Sequence, residues 1–171
     1  GLTDASVDPP GGKLLRNADC TLNGILLENA MALIDQVIPP LKGTRLQELL
    51  KQTQQHLLSL GITCVHDFDG LECLEALKAL EANGELYLRV CKNLPGNRIE
   101  EIAQCGYKSG VGSGHLRFSA LKFFADGALG PQSAAMLDPY EGSTSRGLLQ
   151  MDADAVFEQG LHATELGWPL A

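Results

Sequence analysis

The sequence predicts an α/β fold of parallel strands and crossover helices, either an open sheet or part of a (β/α) barrel. Three observations carry this. Short apolar runs alternate with longer stretches whose apolar residues fall at helical spacing. Parallel strands need such crossovers, and a helix is the usual one. Polar residues collect just after the apolar runs, at the strand ends where these folds bind ligands.

Residues 1–43 form an irregular and helical region, and 44–171 a series of βα units. Residues 1–24 are rich in Gly, Pro and Asp and read as irregular. From Gly24 to Ile38, Leu27, Ala30, Met31, Ile34 and Ile38 make a helical stripe that Pro39 and Pro40 end. A second helix starts at Thr44, where Thr44 and Gln47 fit a capping box. Its apolar face is Leu46, Leu49, Leu50, Leu57 and Leu60, and Gly61 suits the position after its end. Residues 62–65 are a short buried strand, followed by a helix capped by Asp69 with Leu74, Leu77 and Leu80 inward. Residues 86–91 are the next strand. Asn97 caps a short helix that Gly106 closes, and residues 116–124 contain the third strand. Asp152 opens a last helix through Val156, Phe157 and Leu161, and Gly167 leads into one more apolar strand. Both ends read as cut, so the chain is expected to be an excerpt of something longer.

The 171 residues can bury about 70% of their unfolded surface. With 44% apolar residues, 19 glycines and 8 prolines, the chain reads as globular and turn-rich. Thirteen basic against 21 acidic side chains give a net charge of −8 with no basic block, which argues against nucleic acid as a partner. No apolar run reaches the length of a membrane span and no basic-then-apolar leader is seen, so no membrane association is expected. Five cysteines at wide spacings, without a CxxC pair, suggest a reducing, cytoplasmic setting.

Lys122, in an apolar strand just before Asp126-Gly127, is the residue with most chemical potential. An ammonium there must find a partner, lose its proton or be modified. As a cation it pairs with Asp67 or Asp126. As a carbamate formed with CO2 it offers two oxygens that can bridge two divalent ions. His66 and Asp67 follow one strand and can face a pocket; they can also act together as an acid/base pair in an enzyme without metal. His56 and His162 lie on helices and read as surface or packing residues, while His115 precedes its strand. Asp126, Gly127 and the small residues that follow, including Ser133, can bring backbone close to a ligand. No phosphate loop, dinucleotide fingerprint or Gly-x-Ser-x-Gly elbow is present.

Four stretches, taken together, resemble the YtcJ-like branch of the metal-dependent amidohydrolases. They are Asp8-Pro-Pro-Gly-Gly12 with Asn23-Gly-Ile-Leu-Leu-Glu28; Gly61-Ile-Thr-Cys-Val-His-Asp67; Leu121-Lys-Phe-Phe-Ala-Asp-Gly-Ala-Leu-Gly130 with Ser133-Ala-Ala-Met-Leu-Asp-Pro-Tyr140; and Gly147-Leu-Leu149 leading to Gly167-Trp168. The resemblance implies a partial (β/α)8 TIM barrel, about strands two to four and the start of strand five. It implies one or two divalent metal ions, zinc first, and hydrolysis of amide or related C–N bonds in a small-molecule substrate. Lys122 falls at the carboxylated, metal-bridging lysine; His66, Asp67, Asp126, Gly127 and Ser133 become substrate-pocket candidates. The HxH pair would lie before Gly1, and the later His ligands and general-base Asp after Ala171. The isolated chain is therefore expected to bind metal weakly or not at all, to be inactive, and to self-associate through uncovered sheet edges. The rival expectation is a non-catalytic α/β structural or regulatory module.

Overall fold

The structure, a computed structural model, describes residues 1–171 and divides into two compact units. One comprises Gly1–Pro39 and Phe124–Val156. The other comprises Pro40–Phe123 and Phe157–Ala171.

The second unit is the α/β part. Its sheet has the order β3–β4–β5, all parallel: β3 is Cys64–Asp67, β4 Arg89–Pro95 and β5 Leu116–Lys122. Between them run α3 (Leu71–Ala82) and α4 (Ile99–Gln104), while α2 (Gly43–Ser59) precedes β3. A further parallel partner lies beside β5. The Leu121 N–H donates to the Pro169 carbonyl at 2.9 Å and the Ala171 N–H to the Leu121 carbonyl at 2.9 Å, with a parallel bridge from Leu121 to Leu170. The expected strand after Gly167 thus exists and extends the sheet in sequence order.

The helices form for the reasons the spacing gave. Leu74, Leu77 and Leu80 of α3 are buried against Val90, Leu94, Leu116 and Leu121 of the sheet. Trp168 joins this core, edge-on to Phe118 at 6.5 Å. At the end of α2, Gly61 adopts φ +80 while the Gly61 and Ile62 N–H groups return to the Leu58 and Leu57 carbonyls. A side chain at that φ would be strained, which is why glycine ends the helix there.

Several boundaries moved. β3 begins two residues later than expected and ends on Asp67, and β4 runs from Arg89 rather than Leu86. α2 starts at Gly43 with Lys42 at its N-cap and no side-chain cap, so the Thr44/Gln47 box does not form. Its buried residue is polar: Gln54 accepts from the Tyr87 N–H at 2.9 Å and donates to the Glu85 carbonyl at 2.7 Å, tying α2 to the approach of β4. Leu60, expected inward, is 62% exposed.

The first unit corrects the sequence reading most. Residues 1–43 are not irregular followed by helix. β1 (Gly12–Arg16) and β2 (Leu22–Glu28) form an antiparallel hairpin, and helix is confined to a 3-10 turn at Asn29–Met31 and a single turn, α1 (Ala32–Asp35). The apolar run of residues 25–27 lies in β2, where cross-strand pairing with Lys13 and Leu14 overrides its helical spacing. Phe124 onward supplies a long connection with an antiparallel bridge between Asp126 and Leu149. α5 (Ala153–Glu165) starts in this unit and ends in the other; Asp152 Oδ1 accepts the Ala155 N–H at 2.8 Å, the cap expected there. No helix is long and apolar enough to cross a membrane.

Leu80→Ala, at a fully buried position, should lower stability by about 2–5 kcal/mol, seen as a lower urea midpoint at unchanged slope. Leu60→Ala should stay within about 0.5 kcal/mol of the parent chain.

Candidate functional site

Asp67 ends β3 and Lys122 ends β5, while Lys92 and Asn93 lie inside β4, which runs on to Pro95. The register pairs Asp67 with Lys92 and Pro95 with Lys122.

Lys92 is the largest fully buried side chain of the chain, at 0% exposure. Its ammonium forms a short contact with Asp67 Oδ1 and donates to the Asp69 carbonyl at 2.5 Å. The Asn93 side chain donates to the Asp67 carbonyl at 3.4 Å, and the Cys73 thiol lies 3.8 Å from Asp67 Oδ2. A buried ammonium without a partner would be strongly destabilising; here a carboxylate and a carbonyl satisfy it. Lys92, rather than Lys122, is thus the lysine enclosed within an apolar strand. The signal was there, an ammonium flanked by Val90, Cys91 and Leu94. Ending the strand at Cys91 had placed Lys92 outside it.

Lys122 is the last residue of β5 and half-buried. Its Nζ sits 5.5 Å from the centre of the Phe68 ring, within cation–π range. His66 is exposed and Asp67 half-buried. Neighbours on a strand project to opposite faces, and Asp67 turns toward Lys92, so this geometry gives no support to a His66/Asp67 acid/base pair. Asp126 Oδ2 accepts the Ala135 N–H at 2.9 Å. Ser133 is 1% exposed, and its hydroxyl donates to the Glu28 carboxylate and accepts the Ala128 N–H at 3.1 Å. Gly127 lies so close that a Cβ there would meet Glu28 Oε1 and Ser133 Oγ at 2.4 Å. A cleft of about 340 Å³, lined by Leu50, Thr53, Leu57, Leu86, Leu88 and other residues, reaches Asp67 and Asp69.

Two donor sets bear on metal binding. Asp67, Asp69 and Cys73 offer ligand atoms within 4.8 Å of one another. That set does not fit a divalent ion. The Lys92 ammonium already serves as the cation of the cluster, and the thiol is held protonated. Burial, with the Asp67 carboxylate beside it, pushes Cys73 up to about 12. Around Lys122 the chain brings one ligand-grade lysine to the strand end and no HxH pair. The residues present do not compose a divalent centre by themselves, so no catalytic step is derived through one.

Comparison with known proteins decides the family. The model of the Amidohydrolase family matches residues 1–171. The chain belongs to the Amidohydrolase family. The YtcJ protein of Bacillus subtilis, whose name describes it as an amidohydrolase, is 28% identical over 160 residues, covering 90% of this chain and 30% of that protein. The LONG AFTER FAR-RED 3 protein of Arabidopsis thaliana is 23% identical, covering 100% of this chain and 32% of its own length. Among solved structures, an uncharacterised metal-dependent hydrolase from Pyrococcus furiosus superposes with a TM-score of 0.71 at 28% identity over 82% of this chain and 30% of that one. One from Pyrococcus horikoshii OT3 gives 0.71 at 24% identity, over 82% of this chain and 29% of that one, a likeness of fold. This amidohydrolase chain therefore spans about a third of the length of the relatives it matches.

Lys92→Ala should cost about 3–5 kcal/mol in urea unfolding because it strands the Asp67 carboxylate, and Lys92→Met with Asp67→Asn together should recover most of that loss. Cys73 also makes stability pH-dependent. Its folded value is raised from 9.0 to about 12, so its contribution is whole below about pH 9 and is lost as pH climbs toward 12. Comparing urea midpoints of the parent chain and Cys73→Ala between these limits checks it: the parent should lose stability faster.

Proposed function

We propose that this chain is a segment of the catalytic (β/α)8 barrel of a metal-dependent hydrolase that cleaves amide or related C–N bonds in a small-molecule substrate. The observation that carries the reading is the sheet order. β3, β4 and β5 lie side by side in sequence order with residues 169–171 next, all parallel, and helices separate them in the chain. A doubly wound sheet reverses direction at a switch point, whereas a barrel sheet keeps adding strands on the same side. On this reading β3 to β5 are barrel strands two to four and residues 169–171 begin the fifth.

Lys122 then stands at the carboxyl end of a barrel strand, where catalytic groups of such barrels gather. We assign it the role of a carboxylated ligand to one or two divalent ions, zinc first, completed by donors outside these residues. When bound, such ions supply Lewis-acid polarisation of a carbonyl and an activated water. His66, Asp126 and Gly127 are proposed as substrate-pocket residues. Asp67 and Ser133, whose polar atoms are engaged internally, are proposed as supports. Five cysteines without disulfides accord with the proposed cytoplasmic setting.

The test is hydrolysis of a panel of N-acyl and carbamoyl compounds by the longer protein and by this chain. The longer protein should be active and this chain inactive. Lys122→Ala in the longer protein should lose activity by about 100-fold or more, with partial rescue by a short-chain carboxylate that replaces the carbamate oxygens. Full activity of that variant would overturn the assignment. For the isolated chain, the edge of β3 away from β4 has no strand beside it, and Ile62 and Phe68 flanking it are exposed. Self-association through that edge should give concentration-dependent sedimentation at micromolar levels. A monodisperse monomer would count against it.

A further inference from the structure

Glu28 is the final residue of β2 and pairs across the hairpin with Gly12. Its backbone sits at φ 51 and ψ −126, a strained region that residues with a Cβ rarely occupy. Something must hold it there, and its carboxylate makes the contacts that can. One oxygen accepts the hydroxyl of the buried Ser133 in a short contact; the other accepts the Gln150 side-chain amide at 2.9 Å. Hydrogen bonds to an ionised acceptor are stronger than neutral ones, which offsets the backbone strain.

The two oxygens hold different arms of one connection. Through Ser133, the first reaches the Ala128 N–H at 3.1 Å. Gly127, where no Cβ fits, lets the carboxylate and hydroxyl come together. Through Gln150, the second reaches the returning arm. That side chain also donates to the Asp126 carbonyl at 3.2 Å, and the Gln150 N–H donates to the Ala125 carbonyl at 2.8 Å. The Leu148 N–H closes the loop on the Ser133 carbonyl at 2.8 Å. All of these groups lie in the first unit.

We propose that Glu28 is a positioning residue: its carboxylate clamps both arms of the connection that follows β5 and thereby sets the conformation of the Asp126–Gly127 segment, which begins four residues after Lys122. The clamp itself stands on these contacts. Its bearing on turnover rests on the hydrolase reading above, and the two are tested separately.

Glu28→Gln keeps the volume and removes the charge, so both charge-assisted contacts become neutral, and the one to Ser133 persists only if that hydroxyl turns to the Ala128 carbonyl and accepts from the new amide. In the isolated chain, amide hydrogen exchange at Ala128 and Leu148 should quicken about tenfold, the equivalent of one weakened hydrogen bond. Tryptic cleavage at the exposed Arg146 should quicken with it, while Leu77 and Leu80 in α3 keep their protection. Gly127→Ala, which pushes a methyl into the clamp, should reproduce the pattern. Unchanged exchange at Ala128 and Leu148 in both variants overturns the clamp, as does an equal rise throughout α3, which would mean general unfolding. In the longer protein, Glu28→Gln should lower kcat about tenfold or more, with metal content unchanged and KM little altered. An unchanged kcat overturns the positioning role. If the longer wild-type protein hydrolyses none of the panel, the hydrolase reading falls, and amide exchange alone decides the clamp.

Discussion

The Lys92 ammonium, sealed between two strands, constrains the α/β unit more than any other group. Its pairing with Asp67 joins the carboxyl end of β3 to the middle of β4, and its bond to the Asp69 carbonyl fixes the turn that leads into α3. Such a pair contributes little net stability compared with an apolar replacement, yet losing one member is costly. What it supplies here is register. With Asp67 opposite Lys92, Val65 falls opposite Val90 and the apolar row that α3 covers is complete. A slip by one residue would turn that row to the other face and strand the ammonium. The same turn carries Phe68, whose ring lies under the Lys122 ammonium. The buried pair therefore also helps place the lysine at the end of β5.

The periodicity of the α/β unit was legible because its helices are amphipathic and its strands are short apolar runs that end in polar residues. Leu74, Leu77 and Leu80 were recognisable as core from spacing alone, as was the strand after Gly167. Strand ends were not. β4 continues through Lys92, Asn93 and Leu94, and the two polar side chains there resemble the end of a strand until their partners are seen. Asp67 lies 25 residues from Lys92, too far for local pattern to link them. Lys122 stands out in the sequence as an ammonium in an apolar strand just before Asp126-Gly127, whereas Lys92 is the more deeply buried of the two.

The hairpin unit was the least legible. β2 has an apolar run that satisfies helical spacing as readily as strand pairing, and only its partner β1 decides between them. Glu28 lies 105 residues from Ser133 and 122 from Gln150, so no local signal reveals that they meet. A trace was nonetheless present. Gly127 and Ser133 stand in a segment of small residues, and small residues permit close approach. The expected ligand in that space was a substrate, and the group that fills it is the carboxylate of Glu28. Ser133, predicted to line a pocket, spends its hydroxyl on that carboxylate instead.

Phe68 gives the proposed role of Lys122 a physical condition. The face of an aromatic ring carries negative potential and attracts an ammonium, so the contact at 5.5 Å favours Lys122 as a cation. A carbamate at the same nitrogen is an anion and would be repelled by that face. Carboxylation would thus need a positive field that outweighs this repulsion, or a rotation of the half-exposed ring. Divalent ions held by additional ligands would supply such a field. On the proposed role, the chemistry of Lys122 would therefore depend on completion of the site rather than on the local sequence alone.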